Sequence, residues 1–179
     1  MPNNLKFDIK FSAPLEKHDS SLGWYYIVFI PEWLIPEFGA VKSPRVKVVF
    51  NNKLESHISV KVRGHERYII VNSTIRKKLG LQLGELIDIH LKNEESKYGM
   101  PMPDELGEML AQEDDADQYF HKLTPGKQRT LIYLVSNLKG TDARIKKSLG
   151  IIEHLKEYLG ELEFKLLNEK FKEVNNRFK

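Results

Sequence analysis

The 179-residue chain contains no cysteine. Disulfides, thiol catalysis and thiolate metal sites are therefore excluded, and a reducing compartment fits. Long apolar runs are missing as well: none approaches the roughly 18 residues that a membrane-spanning helix needs. The amino end, MPNNLKFDIKF, alternates polar and apolar residues instead of presenting a signal-peptide core. A cytoplasmic protein with no membrane insertion is the expectation. Neither sign of charge dominates, since 28 Lys and Arg against 25 Asp and Glu leave a net charge of +3, too small to demand nucleic acid or an anionic membrane as partner. What excess there is lies in residues 1–99, with 15 basic and 11 acidic side chains; residues 100–179 carry 13 and 14. The motifs of familiar chemistries are also missing. The six histidines include no His-Glu-x-x-His and no pair four apart, and there is no G-x-S-x-G elbow, phosphate loop or dinucleotide fingerprint. The chain reads as a non-enzyme with no metal and no cofactor.

What is present is an ordinary globular composition, 41% hydrophobic and 30% charged, enough for a sizeable core. Leu5, Phe7, Ile9 and Phe11 alternate with Lys6, Asp8 and Lys10, the period of a half-buried strand. His18 to Ser21 reads as a loop, and the aromatic, β-branched run Gly23 to Ile30 as a strand that Pro31 ends. A short helix follows to about Phe38, stopped at Gly39, and Arg45 to Phe50 returns as a strand. Asn51 and Asn52 suit a hairpin turn into a strand holding Ile58, Val60 and Val62. The unit then repeats from Arg67 to Asn93, RYIIVNSTIRKKLGLQLGELIDIHLKN: a strand, a helix capped by Asn72 or Ser73 and stopped at Gly80, and a second strand after Gly84. Trp24, Tyr25, Tyr26, Phe29 and Trp33 read as core and cap positions.

Residues 94–102 read as a linker, being polar and then Gly/Pro-containing. Beyond them the pattern is helical. One helix starts at Pro103, and a second carries Glu113, Asp114, Asp115 and Asp117 in its first turn. Thr124-Pro125 opens a third that Gly140 closes, and Thr141 caps a fourth. From residue 161 on, Phe164, Leu167, Phe171, Val174 and Phe178 form one apolar seam that packs on the preceding helices or joins a homodimer through residues 164–178. The expected architecture is α+β: a β-barrel domain (1–93), the linker, a helical domain (103–160) and an amphipathic helix (161–179).

Val71 to Leu91 resembles the AbrB, MazE and SpoVT swapped-hairpin unit, with its short basic helix ending in Leu-Gly and its Gly-acid turn. Since this chain carries two units, the resemblance implies a single-chain double-split barrel. Met102 to Leu155 is similar to the helical domain of the YdeI or OmpD-associated, bacteriocin-protection family at Pro103, Leu106, Leu110, Ala116, Phe120, Leu123, Thr124-Pro125, Arg129, Lys139, Arg144 and Lys147. Ala143 departs from it, standing where that pattern has threonine. Members often carry a small β domain of unknown function in front, which residues 1–93 resemble. The family implies resistance to cationic peptides or bacteriocins and no established chemistry.

Two basic clusters are candidate sites. Lys139, Arg144 and Lys147 flank a helix start and can hold a small anionic ligand or a protein partner, Arg144 and Lys147 sharing a face at spacing three. Arg63, Arg67, Arg76, Lys77 and Lys78 can contact nucleic acid phosphates, although the upstream copy of the unit offers Glu32 and Glu37 and no base in the matching helix. The acidic run from Asp104 to Asp117 reads as macrodipole complement and solvated surface. Glu153, His154 and Glu157 read as surface polar residues. The leading function is a binding module in peptide or envelope stress, with a nucleic-acid regulator and an enzyme with an unrecognised pocket as the alternatives.

Overall fold

The computed structural model describes residues 8–20 and 23–178. The chain forms two compact units, Met1–Glu95 and Ser96–Lys179, and the fold is α+β. No helix among the described residues is long and apolar enough to cross a membrane.

The first unit contains β1 (Asp8–Pro14), β2 (Glu16–Ser20), β3 (Gly23–Ile30), a 3-10 helix (Glu32–Phe38), β4 (Arg45–Phe50), β5 (Leu54–Ser59), β6 (Lys61–Arg63), β7 (Glu66–Ile70), α1 (Ser73–Leu79) and β8 (Leu86–Asn93). They make two antiparallel four-stranded sheets, in the orders β1-β8-β4-β5 and β2-β3-β7-β6. One core serves both, with Ile9, Phe11, Val28, Ile30, Phe38, Val48, Phe50, Ile69, Ile75 and Leu91 among its members. The expected barrel closure is not found. Among the described residues the edge strands of one sheet do not pair with those of the other, so the two sheets share side chains but not a continuous ladder.

The two copies of the strand, helix, glycine, strand unit pair with each other strand for strand. β3 lies against β7, with Val28 opposite Ile69, and β4 lies against β8, with Val48 opposite Leu91. Asn72 Oδ1 accepts from the Ile75 amide at 3.0 Å at the start of α1, and Gly80 ends that helix in the left-handed region at φ 67°. Asn51 and Asn52, at φ 49° and 53°, make the turn between β4 and β5.

Three expectations for this unit are corrected. The alternating strand at the amino end runs on to Pro14, because β8 pairs with it as far as Leu86; Leu5 and Phe7 lie outside the described residues. His18 to Ser20 belong to a strand, not a loop, because the backbone of β3 offers a partner edge, with His18 opposite Tyr25. Ser21 lies outside the described residues. The strand expected through Ile58 and Val62 breaks at Val60, whose amide leaves the ladder for the Pro44 carbonyl at 2.9 Å, so that β5 serves one sheet and β6 the other.

The second unit contains α2 (Asp104–Gln112), α3 (Asp114–Lys122), α4 (Pro125–Ser136), α5 (Thr141–Glu157) and α6 (Phe164–Arg177). Leu106, Leu110, Phe120, Leu131, Ile132, Ile151, Leu155, Leu167 and Phe171 form its core, with Tyr98, Met100 and Met102 packed against it. Full burial of a Leu or Phe side chain contributes about 1.5–3 kcal/mol. Thr124 caps α4, its hydroxyl accepting from the Lys127 amide. That helix ends at Ser136 rather than at Gly140, the Asn137 amide closing onto the Tyr133 carbonyl. Gly140 occupies the cap position of α5, which makes Thr141 its first helical residue and leaves its hydroxyl without a capping role. In the α6 seam Leu167, Phe171 and Val174 are buried within the unit, while Phe164 and Phe178 at its two ends are exposed.

Candidate functional site

Near its start α5 presents Asp142, Ala143, Lys146 and Lys147 at spacings that share one strip of a helix. α6 approaches that strip closely because Gly150 has no side chain: a Cβ there would stand 2.7 Å from Phe171 Cδ1. Between the two helices lies a cleft of about 400 Å³ with Leu138 and Phe171 in its apolar wall and Asn175 opposite the lysines. Lys147 Nζ sits 3.7 Å from the centre of the Phe171 ring, a cation–π contact. It has no ion pair among the described residues, and burial pushes its pKa below the ordinary lysine value. Lys146 Nζ donates to the Phe178 carbonyl at 2.7 Å. Ala143 also lines the cleft, so the wall offers a methyl where the family pattern would place a hydroxyl.

The other two members of this predicted cluster go elsewhere. Arg144 Nε donates to the Leu138 carbonyl at 2.9 Å, and Nη1 lies 3.7 Å from Glu105 Oε1. The spacing of three does not bring Arg144 and Lys147 together, because the Leu138 carbonyl, in the turn after α4, and Glu105 draw the guanidinium across. Lys139 is exposed and does not line the cleft.

In the β unit, Arg67 is buried, donates to the Val41 and Lys42 carbonyls at 2.9 and 2.8 Å, and lies over the Phe38 ring at 4.9 Å. Burial lowers its pKa. Arg76 stacks on Tyr26 at 3.8 Å. Arg63 pairs with Glu66 at 2.8 Å and also meets His18. Arg63, Lys77 and Lys78 are the members of this group left exposed on the surface, and of these Arg63 is already paired. Tyr25 and Phe29 are not in the core as expected; they alternate away from Val28 and Ile30. With His18 and Tyr68 they form an aromatic cluster on the opposite face, His18 stacking on Tyr25 at 5.3 Å. Trp33 is exposed, and the side chain of Trp24 lies outside the described residues.

Among the described residues no group of three potential ligands converges to hold a metal. Glu153 and Glu157 turn to Arg177 and Lys170, each at 2.6 Å. His154 is fully buried, not on the surface as expected. Of the acids in the Asp104 to Asp117 run, Asp104 and Glu105 lie in the first turn of α2 and Asp114, Asp115 and Asp117 in that of α3, where the helix macrodipole favours them.

Residues 100–158, which supply both lysines of the cleft, match the family model for bacteriocin-protection, YdeI or OmpD-associated proteins. Residues 11–91 match a domain of unknown function (DUF1905). Residues 100–158 are thus similar to the YdeI or OmpD-associated domain. The cleft is composite: its α5 wall falls inside the matched residues, while Phe171 and Asn175 of α6 lie beyond them. No curated protein and no solved structure matches the chain.

Proposed function

We propose that the protein is a non-enzymatic, cytoplasmic binding module that takes a small anionic ligand in the cleft between α5 and α6, as part of a response to antimicrobial peptides or envelope stress. The observation that carries this reading is Lys147. It is a partly desolvated cation at the wall of a cleft, with an aromatic ring beneath it; among the described residues it has no ion pair, Asp142 lining the same cleft without pairing with it. An anion entering the cleft supplies the missing charge where water screens it least. Lys146 and Asn175 add donors beside it. The family description supports the biological setting. Strand-for-strand pairing of the two copies supports a finer reading of the β unit, as the two halves of a swapped-hairpin unit carried on one chain and left open between its two sheets. Because Arg67 is buried, Arg76 is stacked on Tyr26 and Arg63 is paired with Glu66, the geometry favours the helical cleft over a nucleic-acid face.

A thermal-shift screen of small carboxylates and phosphates tests the site. A ligand at a hundred times its Kd raises stability by about 2.7 kcal/mol. Lys147→Met keeps the stem over Phe171 and removes the charge, so it should abolish the shift with little change in the unliganded midpoint. An equal shift in wild type and variant would remove Lys147 from the site.

A further inference from the structure

A second cleft, of about 380 Å³, opens where the segment before α2 passes the start of α3. Its floor is apolar, formed by Met102, Leu110 and Ala111. Met102 reaches this position because Gly107 is opposite: a Cβ there would lie 3.3 Å from Met102 Cγ.

Its polar edge is centred on His121. The ring Nδ1 lies 2.9 Å from the Asp117 carbonyl oxygen and 3.2 Å from Asp117 Oδ1. With Nδ1–H donating there, the tautomer is set and Nε2 is left as an acceptor. Two donors converge on that one nitrogen, the Tyr98 hydroxyl at 2.9 Å and Lys97 Nζ at 3.2 Å. A single lone pair satisfies one of them, so the other is free to meet an acceptor from outside. Tyr98 is held in place edge-on against Phe120 at 5.7 Å. Asp114 also lines the cleft and has no ion pair among the described residues.

The geometry points to a site for a small zwitterion with an apolar group, of the class of a free aliphatic α-amino acid or its dipeptide. The carboxylate meets Lys97 and Tyr98, the ammonium meets Asp114 and Asp117, and the side chain lies on Met102 and Leu110. The volume is at the small end of the range for ligand pockets, which suits such a molecule. A simple anion would leave the two aspartates repelling it, and a simple cation would leave Lys97 doing the same. This site is independent of the cleft containing Lys147.

Calorimetric titration of the full chain with L-leucine and L-leucyl-L-leucine tests the assignment, with N-acetyl-leucine and leucinamide as analogues lacking one charge each. At least one zwitterion should bind saturably, and each singly charged analogue should bind at least about tenfold more weakly, a loss of one charge-assisted contact. Lys97→Met, at an exposed position, and Asp114→Asn should each weaken binding by a similar factor. Lys147→Met should leave it unchanged, which separates this site from the anion cleft. The assignment is overturned if neither zwitterion binds up to about 10 mM, where even a millimolar ligand stabilises measurably. It is equally overturned if a singly charged analogue binds as well as its parent, or if Lys97→Met and Asp114→Asn both leave affinity intact.

Discussion

His154 combines a titratable ring with a site that has no room for its charge. The ring is fully buried against Tyr158 at 4.7 Å, and neither nitrogen has a hydrogen-bond partner among the described residues. Burial lowers its pKa below 6.5; the Glu161 backbone, Glu157 and Glu163 act the other way, and Lys170 acts with burial. The sign of the consequence follows. Below pH 6.5 the unfolded chain takes up a proton that the folded ring still refuses, so stability falls as the pH drops from the unfolded value toward the folded one. The slope reaches at most about 1.4 kcal/mol per pH unit. Denaturant unfolding at pH 7 and pH 5 should show this loss, and His154→Leu should flatten the difference. An unchanged pH profile in that variant would show that other groups cause it.

Among elements, the α5–α6 pair shows most clearly how packing overrides local preference. Glycine in mid-helix costs roughly 0.5–1 kcal/mol relative to alanine, yet α5 runs through Gly150 because Phe171 fills the space a side chain would need. Gly150→Ala should therefore destabilise in spite of its better helix propensity, since overpacking costs typically 1–3 kcal/mol. The same displacement of Phe171 would disturb the ring beneath Lys147 and weaken any ligand held there. A raised unfolding midpoint for Gly150→Ala would contradict the close approach of the two helices. Local signals in the sequence were sufficient for much else at this scale. The Asn72 cap, the Gly80 stop, the Asn51-Asn52 turn and the Thr124-Pro125 helix start each depend on one or two residues and their own backbone angles. What eluded sequence reasoning depended on which partner a residue meets in the fold. β2 is polar and exists through its pairing with β3, and the break at Val60 is fixed by the Pro44 carbonyl. Arg144 is drawn to Leu138 and Glu105, and Lys97 and Tyr98 meet His121 from more than twenty residues away. No periodicity encodes such convergences.

Considered as a whole molecule, the chain divides at residues 95 and 96 into units with separate hydrophobic cores. A core of its own is what a unit needs in order to fold alone. The segment from 96 to 179, expressed by itself, should keep its helical circular dichroism and unfold cooperatively; a fragment lacking cooperative unfolding would show that its core is insufficient. Separately, the pairing of the two β copies has a consequence for how the chain can change. Between two identical protomers, every contact across the two-fold axis is made twice. Here the copies are covalently joined, and the hold of Arg67 on the Val41 and Lys42 carbonyls is one-directional, from the second copy to the first. Each half can therefore acquire substitutions that its twin never experiences, which frees one copy to drift in surface charge while the other preserves the fold.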